Sequence, residues 1–256
     1  MPSWNVGSWS ITRVDDPGFE LVLPQDEATV ATLKTSPWLR PHWVTETWDL
    51  QVGSSAILLQ RDELNVLVDP WLAFDDPDKF GPRLEALAGT GVTAADIDIV
   101  VNSHVDGIGA NVVPGTDQPA FPNARYYLAD AELAAVRAGR HPAATALATL
   151  DAMVPIFDRY EIAPGLTLEP LPGHNDAHFG VAIGDEALLI GHLFLHPAQI
   201  ANPDAPQPGD GDLVRQTRRD VLARCAAAGT LVIGPLFAVP GGGRVVADGD
   251  RWGLAL

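Results

Sequence analysis

Residues 97–113 read IDIVVNSHVDGIGANVV, and this stretch constrains the fold of the chain more than any other. The run Ile97–Val101 is short, apolar and β-branched, as a buried strand is. It stops at a polar turn carrying His104, Asp106 and two glycines, Gly107 and Gly109. Ionisable groups are thus placed in the loop at a strand's end, where α/β folds keep much of their chemistry.

Around this segment, strands and helices alternate in two passes. Residues 4–14 alternate as a strand. Ser54–Gln60 and Asn65–Asp69 pair as a hairpin across Arg61-Asp62-Glu63. Pro82–Ala88 is a short helix, Ala124–Leu128 a strand followed by a helix capped near Asp130, and residues 142–158 are expected to be mostly helical. The second pass starts near Tyr160, with strands at Leu166–Leu171, Phe179–Ile183 and Ala187–Ile190. Asp212 starts a helix that ends before Gly229. Thr230–Ile233 is a buried strand, and Arg244–Ala247 with Arg251–Leu254 close the chain as a hairpin. Residues 201–211 (ANPDAPQPGDG) read as a lid or a disordered loop. The expected organisation is one domain over residues 1–256, with pseudo-symmetric halves at about 1–158 and 159–256.

The chain has 256 residues, 46% of them hydrophobic, enough for a sizeable core. A formal charge of −17 repels phosphate backbones and anionic lipid, so nucleic acid and membranes are excluded as expected partners. The single cysteine, Cys225, excludes an intrachain disulfide, and its helical spacing with Val214, Val221 and Leu222 makes it a core residue. With no signal-peptide pattern and no long apolar run, the expected location is the cytoplasm. The partner expected is a small molecule, and the apolar and tryptophan content permits a homodimer.

The turn after Val101 resembles the H-x-H-x-D-H-x-G loop of the metallo-β-lactamase superfamily of hydrolases. Its frame here is Asn102-x-His104-x-Asp106-Gly107-x-Gly109. Leu67-Val68-Asp69-Pro70, Pro172-Gly173-His174, Leu189-Ile190-Gly191-His192 and Leu231–Gly243 resemble further family segments in the family's order, and the likeness covers nearly the whole chain. It implies a four-layer αββα sandwich, two mixed β-sheets flanked by helices, with the active site along one edge of the sheets.

In the family's usual site, histidines and carboxylates hold two zinc ions, and a bridging water becomes the nucleophile. This chain departs from that set. Asn102 stands at the first ligand position, where its amide oxygen is a weak neutral ligand. Gly107 replaces a histidine, His192 replaces the bridging aspartate, and Leu236 stands at the last histidine. The resemblance therefore implies at most a mononuclear site of His104, His174 and His192, with Asp106 or water as fourth ligand, suited to one zinc or iron ion. Asp69, His178 and His196 are expected to orient the ligands. Trp38, Trp43 and Trp48 are expected to line a pocket for a neutral or aromatic substrate.

Three functions follow from that set. In one, water on the metal attacks an ester or lactone, with Asp106 holding or deprotonating it. In another, Asp106, His104, His174 and His192 act as acid and base without a metal, in a cyclase, isomerase, lyase or dehydratase of a biosynthetic pathway. The last is a non-catalytic small-molecule-binding protein.

Overall fold

In chain order, the strands of the computed structural model are β1 (Ser3–Val6), β2 (Trp9–Asp15), β3 (Leu21–Leu23), β4 (Leu50–Val52), β5 (Ser55–Arg61), β6 (Leu64–Val68), β7 (Ile99–Val101), β8 (Arg125–Ala129), β9 (Met153–Ile156), β10 (Tyr160–Ala163), β11 (Leu166–Pro170), β12 (Phe179–Ile183), β13 (Ala187–Leu189), β14 (Leu231–Ile233), β15 (Gly242–Asp248) and β16 (Arg251–Ala255). The helices are α1 (Glu27–Leu33), α2 (Phe80–Ala88), α3 (Asp130–Arg137), α4 (Ala198–Ala201) and α5 (Gly211–Ala228). The structure describes residues 1–71, 77–105, 111–140, 152–209, 211–249 and 251–256.

The chain divides into two units, one of residues 1–18 and 55–160, the other of residues 19–54 and 161–256. Segment 19–54 thus groups with the later part of the chain. The first unit carries a seven-stranded mixed sheet in the order β1-β2-β5-β6-β7-β8-β9. Its first strands are antiparallel, whereas β6, β7, β8 and β9 run parallel. Parallel neighbours need a crossover connection, and α2 lies in that between β6 and β7 and α3 in that between β8 and β9. Apolar side chains of the sheet and of α2 and α3, among them Leu58, Leu67, Leu87, Tyr126 and Leu133, form one buried cluster. Under its edge Arg83 of α2 makes a buried bidentate pair with Asp16, Nε to Oδ1 at 2.9 Å and Nη2 to Oδ2 at 2.7 Å. Both ions are out of water, where an opposite charge offsets part of the cost of burial.

The second unit repeats the plan with the order β10-β11-β12-β13-β14-β15-β16, and β3 and β4 form a separate two-stranded sheet. Here β13 and β14 are the parallel pair, and α5 lies in their connection. The face of α5 that carries Val214, Val221, Leu222 and Cys225 packs into the core, so Cys225 is a core residue as its spacing requires.

Three expectations change. Residues 4–14 are two strands rather than one, because the turn at Gly7 (φ 55°) and Ser8 folds them into a hairpin. Met153–Ile156 is a strand, not helix; as an edge strand β9 tolerates Pro155, which has no N–H to give a neighbour. Residues 202–209 are ordered: the buried Arg218 of α5 donates to the carbonyls of Pro203 and Ala205. No helix among the described residues is long and apolar enough to cross a membrane.

Asp16→Ala removes a bidentate counter-ion from the buried Arg83 guanidinium. The expected loss is about 3–5 kcal/mol, read as a lowered urea midpoint with the slope unchanged. A midpoint within experimental error of the parent would show that the pair contributes nothing.

Candidate functional site

Strands that run the same way end at the same edge of a sheet. In the first unit, β6 ends at Asp69 and its parallel neighbour β7 ends at Asn102, Ser103 and His104. Asp69 takes a left-handed backbone (φ 46°), and its N–H donates to the Val101 carbonyl at 2.8 Å. Its carboxylate then accepts the Ser103 N–H at 2.7 Å, and the Ser103 hydroxyl meets His104 Nδ1 at 2.9 Å. Asp69 therefore orients the loop carrying His104, and it is the backbone of Ser103 that it holds. Burial pushes the Asp69 carboxyl up, opposed by the charge of His104 and the bonds from Ser103.

His104 is buried, with its Nδ1 edge set by Ser103. Asn102 is also buried, but its amide oxygen already accepts from Asn111 Nδ2 at 2.8 Å, and its N–H is given to the Tyr127 carbonyl. As placed, Asn102 ties the loop to β8 and to the returning chain. Asp106 and Gly107 lie outside the described residues.

In the second unit, β11 and β13 flank the antiparallel β12 and so run in the same direction, as does β14. Their ends lead into His174, His192 and Leu236 respectively. The imidazoles of His174 and His192 lie edge to face with ring centres 5.2 Å apart. Two imidazoles bound through nitrogen to one tetrahedral ion have ring centres about 5 Å apart, given metal–nitrogen bonds near 2.1 Å. The pair thus has the spacing of two ligands of one ion. Leu236 is a buried leucine with no donor atom to offer.

His178 and His196 are placed differently. The Nδ1 of His178 donates to the Leu171 carbonyl at 3.0 Å, and its Nε2 accepts the backbone N–H of His192 at 2.9 Å. His178 therefore sets the backbone of His192. His196 donates from Nε2 to the Trp43 carbonyl at 2.8 Å and accepts at Nδ1 the N–H of Ala198, at the start of α4. It braces segment 19–54 rather than the histidine pair.

Trp38, Trp43 and Trp48 do not line the cavity of the second unit. Trp43 is wholly buried in the core, its indole N–H given to the Ala238 carbonyl. Trp38 packs edge-on against Trp43, and Trp48 lies beneath the Arg40 guanidinium. A cavity of about 800 Å³ does exist in the second unit, lined by Leu21, Leu23, Leu33, Leu195 and Leu236, and by Trp252, which the sequence did not single out. Several of its polar side chains are already bonded: Arg251 to Thr35, Arg219 to Asp204, and Gln199 to Leu195 and Pro206. Its lining is suited to an apolar group.

Sequence reasoning also passed over Ser103, Gln207 and Arg218. Ser103 gave no signal of its own. Arg218 did: it is the one cation on the apolar stripe of α5 that includes Val214, Val221 and Leu222. A cation on such a stripe must be fed by carbonyls or carboxylates.

Burial pushes the His196 imidazole down from 6.5 to about 4. The folded protein keeps it neutral, so the unfolded chain binds more protons between those values. Stability is full above pH 6.5 and declines as pH falls toward 4. In His196→Gln this contribution is absent. The stability gap between parent and variant should shrink by on the order of 2 kcal/mol between pH 7 and pH 4.5 in urea titrations. A gap constant across that range would rule out the burial of a neutral His196.

No protein-family model matches the chain, and no curated protein matches it in sequence. Solved structures do. The dizinc quorum-quenching lactonase AidC superposes with a TM-score of 0.81 at 16% identity, over 99% of this chain and 96% of that one. The hydrolase AbOPH, of the β-lactamase superfamily, gives 0.72 at 20% identity over 99% and 96%. A probable metal-dependent hydrolase from Staphylococcus aureus gives 0.71 at 16% identity over 98% and 99%. With its two large mixed sheets flanked by helices and this likeness along nearly its whole length, the chain has the αββα metallo-β-lactamase fold.

Proposed function

We propose that this chain is a metal-dependent hydrolase that holds one zinc or iron ion through His104, His174 and His192 and opens an ester or lactone of a neutral, apolar small molecule. The observation that carries this reading is the spacing of His174 and His192, which matches two imidazoles on one ion, with the backbone of His192 fixed by His178. Leucine at position 236 and glycine at position 107 cannot ligate, which limits the site to a single ion. Structural neighbours whose names describe lactonases and metal-dependent hydrolases support the reaction class.

A divalent ion supplies two things in such a site, a water acidic enough to ionise near neutral pH and polarisation of the substrate carbonyl. The chain's own groups do the rest. Asp69, through Ser103, presents His104; His178 presents His192. Asp106, from the same sequence motif as His104, takes the proton as the water oxygen adds to the carbonyl carbon. The carbonyl–oxygen bond to the leaving alcohol then breaks, and that oxygen takes the proton back from Asp106. The apolar part of the substrate sits in the cavity bordered by Leu21, Leu23, Leu195 and Leu236.

Purified protein should contain about one zinc or iron per chain by plasma mass spectrometry, removed by chelation and restored by adding one metal. His174→Ala should lose both the ion and turnover, the latter by at least about a hundredfold. Protein that takes up no zinc, iron or manganese, or a His174→Ala variant that retains turnover, would overturn the reading.

Acyl-ester substrates of increasing chain length probe the cavity. Each buried methylene contributes about 0.8 kcal/mol, so kcat/KM should rise roughly fourfold per methylene until the cavity is full. Ala201→Trp, which places an indole in the cavity, should flatten that series at a shorter chain. A series that is flat in the parent would remove the cavity from substrate binding.

A further inference from the structure

We propose that Arg218 is a positioning residue for the histidine pair, acting through a clamp made by residues 203–209 of the same unit. The proposal rests on the reading of His174 and His192 as metal ligands and adds what sets their spacing.

Arg218 is wholly buried on α5, and its guanidinium lies 5.4 Å from the Phe194 ring centre. Among the described residues no carboxylate hydrogen-bonds to it; its donors go to oxygens of two short segments. Nε donates to the Leu193 carbonyl at 2.9 Å, one residue beyond His192. Nη1 donates to the carbonyls of Pro203 at 3.1 Å and Ala205 at 2.7 Å, and Nη2 donates to the Gln207 side-chain oxygen. A lysine has neither the number of donors nor their planar fork.

The segment held in this way touches both ligand loops. Gln207 Nε2 donates to the His192 carbonyl at 3.3 Å. With His178 on its N–H, the backbone of His192 is gripped on both sides. At the other loop the fit is backbone against backbone. A Cβ on Gly209 would lie 2.2 Å from the Gly173 oxygen and 2.4 Å from the His174 oxygen. One on Gly173 would lie 2.4 Å from Val214 Cα, one turn before Arg218 on the same helix. The loops of His174 and His192 are therefore both seated against one piece of chain, and Arg218 anchors that piece to α5. Remove the anchor and the two imidazoles lose their common reference.

The test uses Arg218→Lys and Gln207→Ala in the full chain. The second is a mild truncation of a half-buried side chain and folds even where the first does not. Two quantities are read: zinc affinity by chelator competition, and the through-space NMR cross-peaks between the His174 and His192 ring protons in metal-free protein. Melting temperature is followed in parallel. The expected result is a zinc affinity lower by roughly ten- to a hundredfold in Arg218→Lys, several-fold in Gln207→Ala, and weaker ring cross-peaks in both, with the double variant no worse than Arg218→Lys alone. A surface substitution that lowers the melting temperature equally should leave both readouts at parent values. Parent affinity and parent cross-peaks in the two variants would overturn the proposal. If the parent itself binds no zinc, the metal reading fails by itself, and the cross-peaks still decide whether Arg218 sets the spacing.

Discussion

In the second unit the parallel register Ala187↔Leu231, Leu188↔Val232 and Leu189↔Ile233 decides which side chains can meet. It makes β13 and β14 end together, and the antiparallel β12 between β11 and β13 brings the end of β11 to the same edge. The residues that follow those ends are His174, His192 and Leu236. A slip of one residue in β13 would move each of the buried Leu188 and Leu189 to the other face of the sheet and take Leu188 out of the core cluster it fills, so the edge is as secure as the core. The first unit follows the same rule, with Asp69 and His104 after two parallel strands.

A sheet edge places a residue to within a few ångströms, and chemistry needs finer placement. That finer placement comes here from backbone amides and carbonyls near the histidines. Asp69 grips the Ser103 N–H, His178 the His192 N–H, Gln207 the His192 carbonyl and Arg218 the Leu193 carbonyl. Burying an arginine without a bonded carboxylate is costly, and burial lowers the Arg218 pKa to about 10. It stays charged at neutral pH because three carbonyls and an amide oxygen replace its water.

What the sequence revealed follows from what is local. The hairpin of β5 and β6 and that of β15 and β16 were legible because a short polar stretch separates two runs rich in apolar residues. The hairpin of β1 and β2 was not, because apolar residues continue at strand spacing through Gly7 and Ser8. Residues 153–156 were read as helix by continuation of the alanine-rich segment before them, although Val154 and Ile156 are β-branched. Trp43 read as pocket wall because clustered tryptophans suggest one; its burial depends on Ala238, 195 residues away in sequence. His104, His174 and His192 were singled out because each occupies a motif frame at a strand end. Arg218 was passed over because the partners that give it meaning are carbonyls, which every residue carries.

The histidines of the second unit divide by a count of nitrogens. His178 and His196 each have both ring nitrogens committed to backbone, one as donor and one as acceptor. That pattern exists only in a neutral imidazole, since the acceptor nitrogen of each faces an N–H. A proton on His178 would set its new N–H against the N–H of His192 and release the peptide that presents that side chain. Neutral imidazole is also the form that binds a metal ion. On the proposed metal reading, His178 and the His192 it presents thus require the same protonation state.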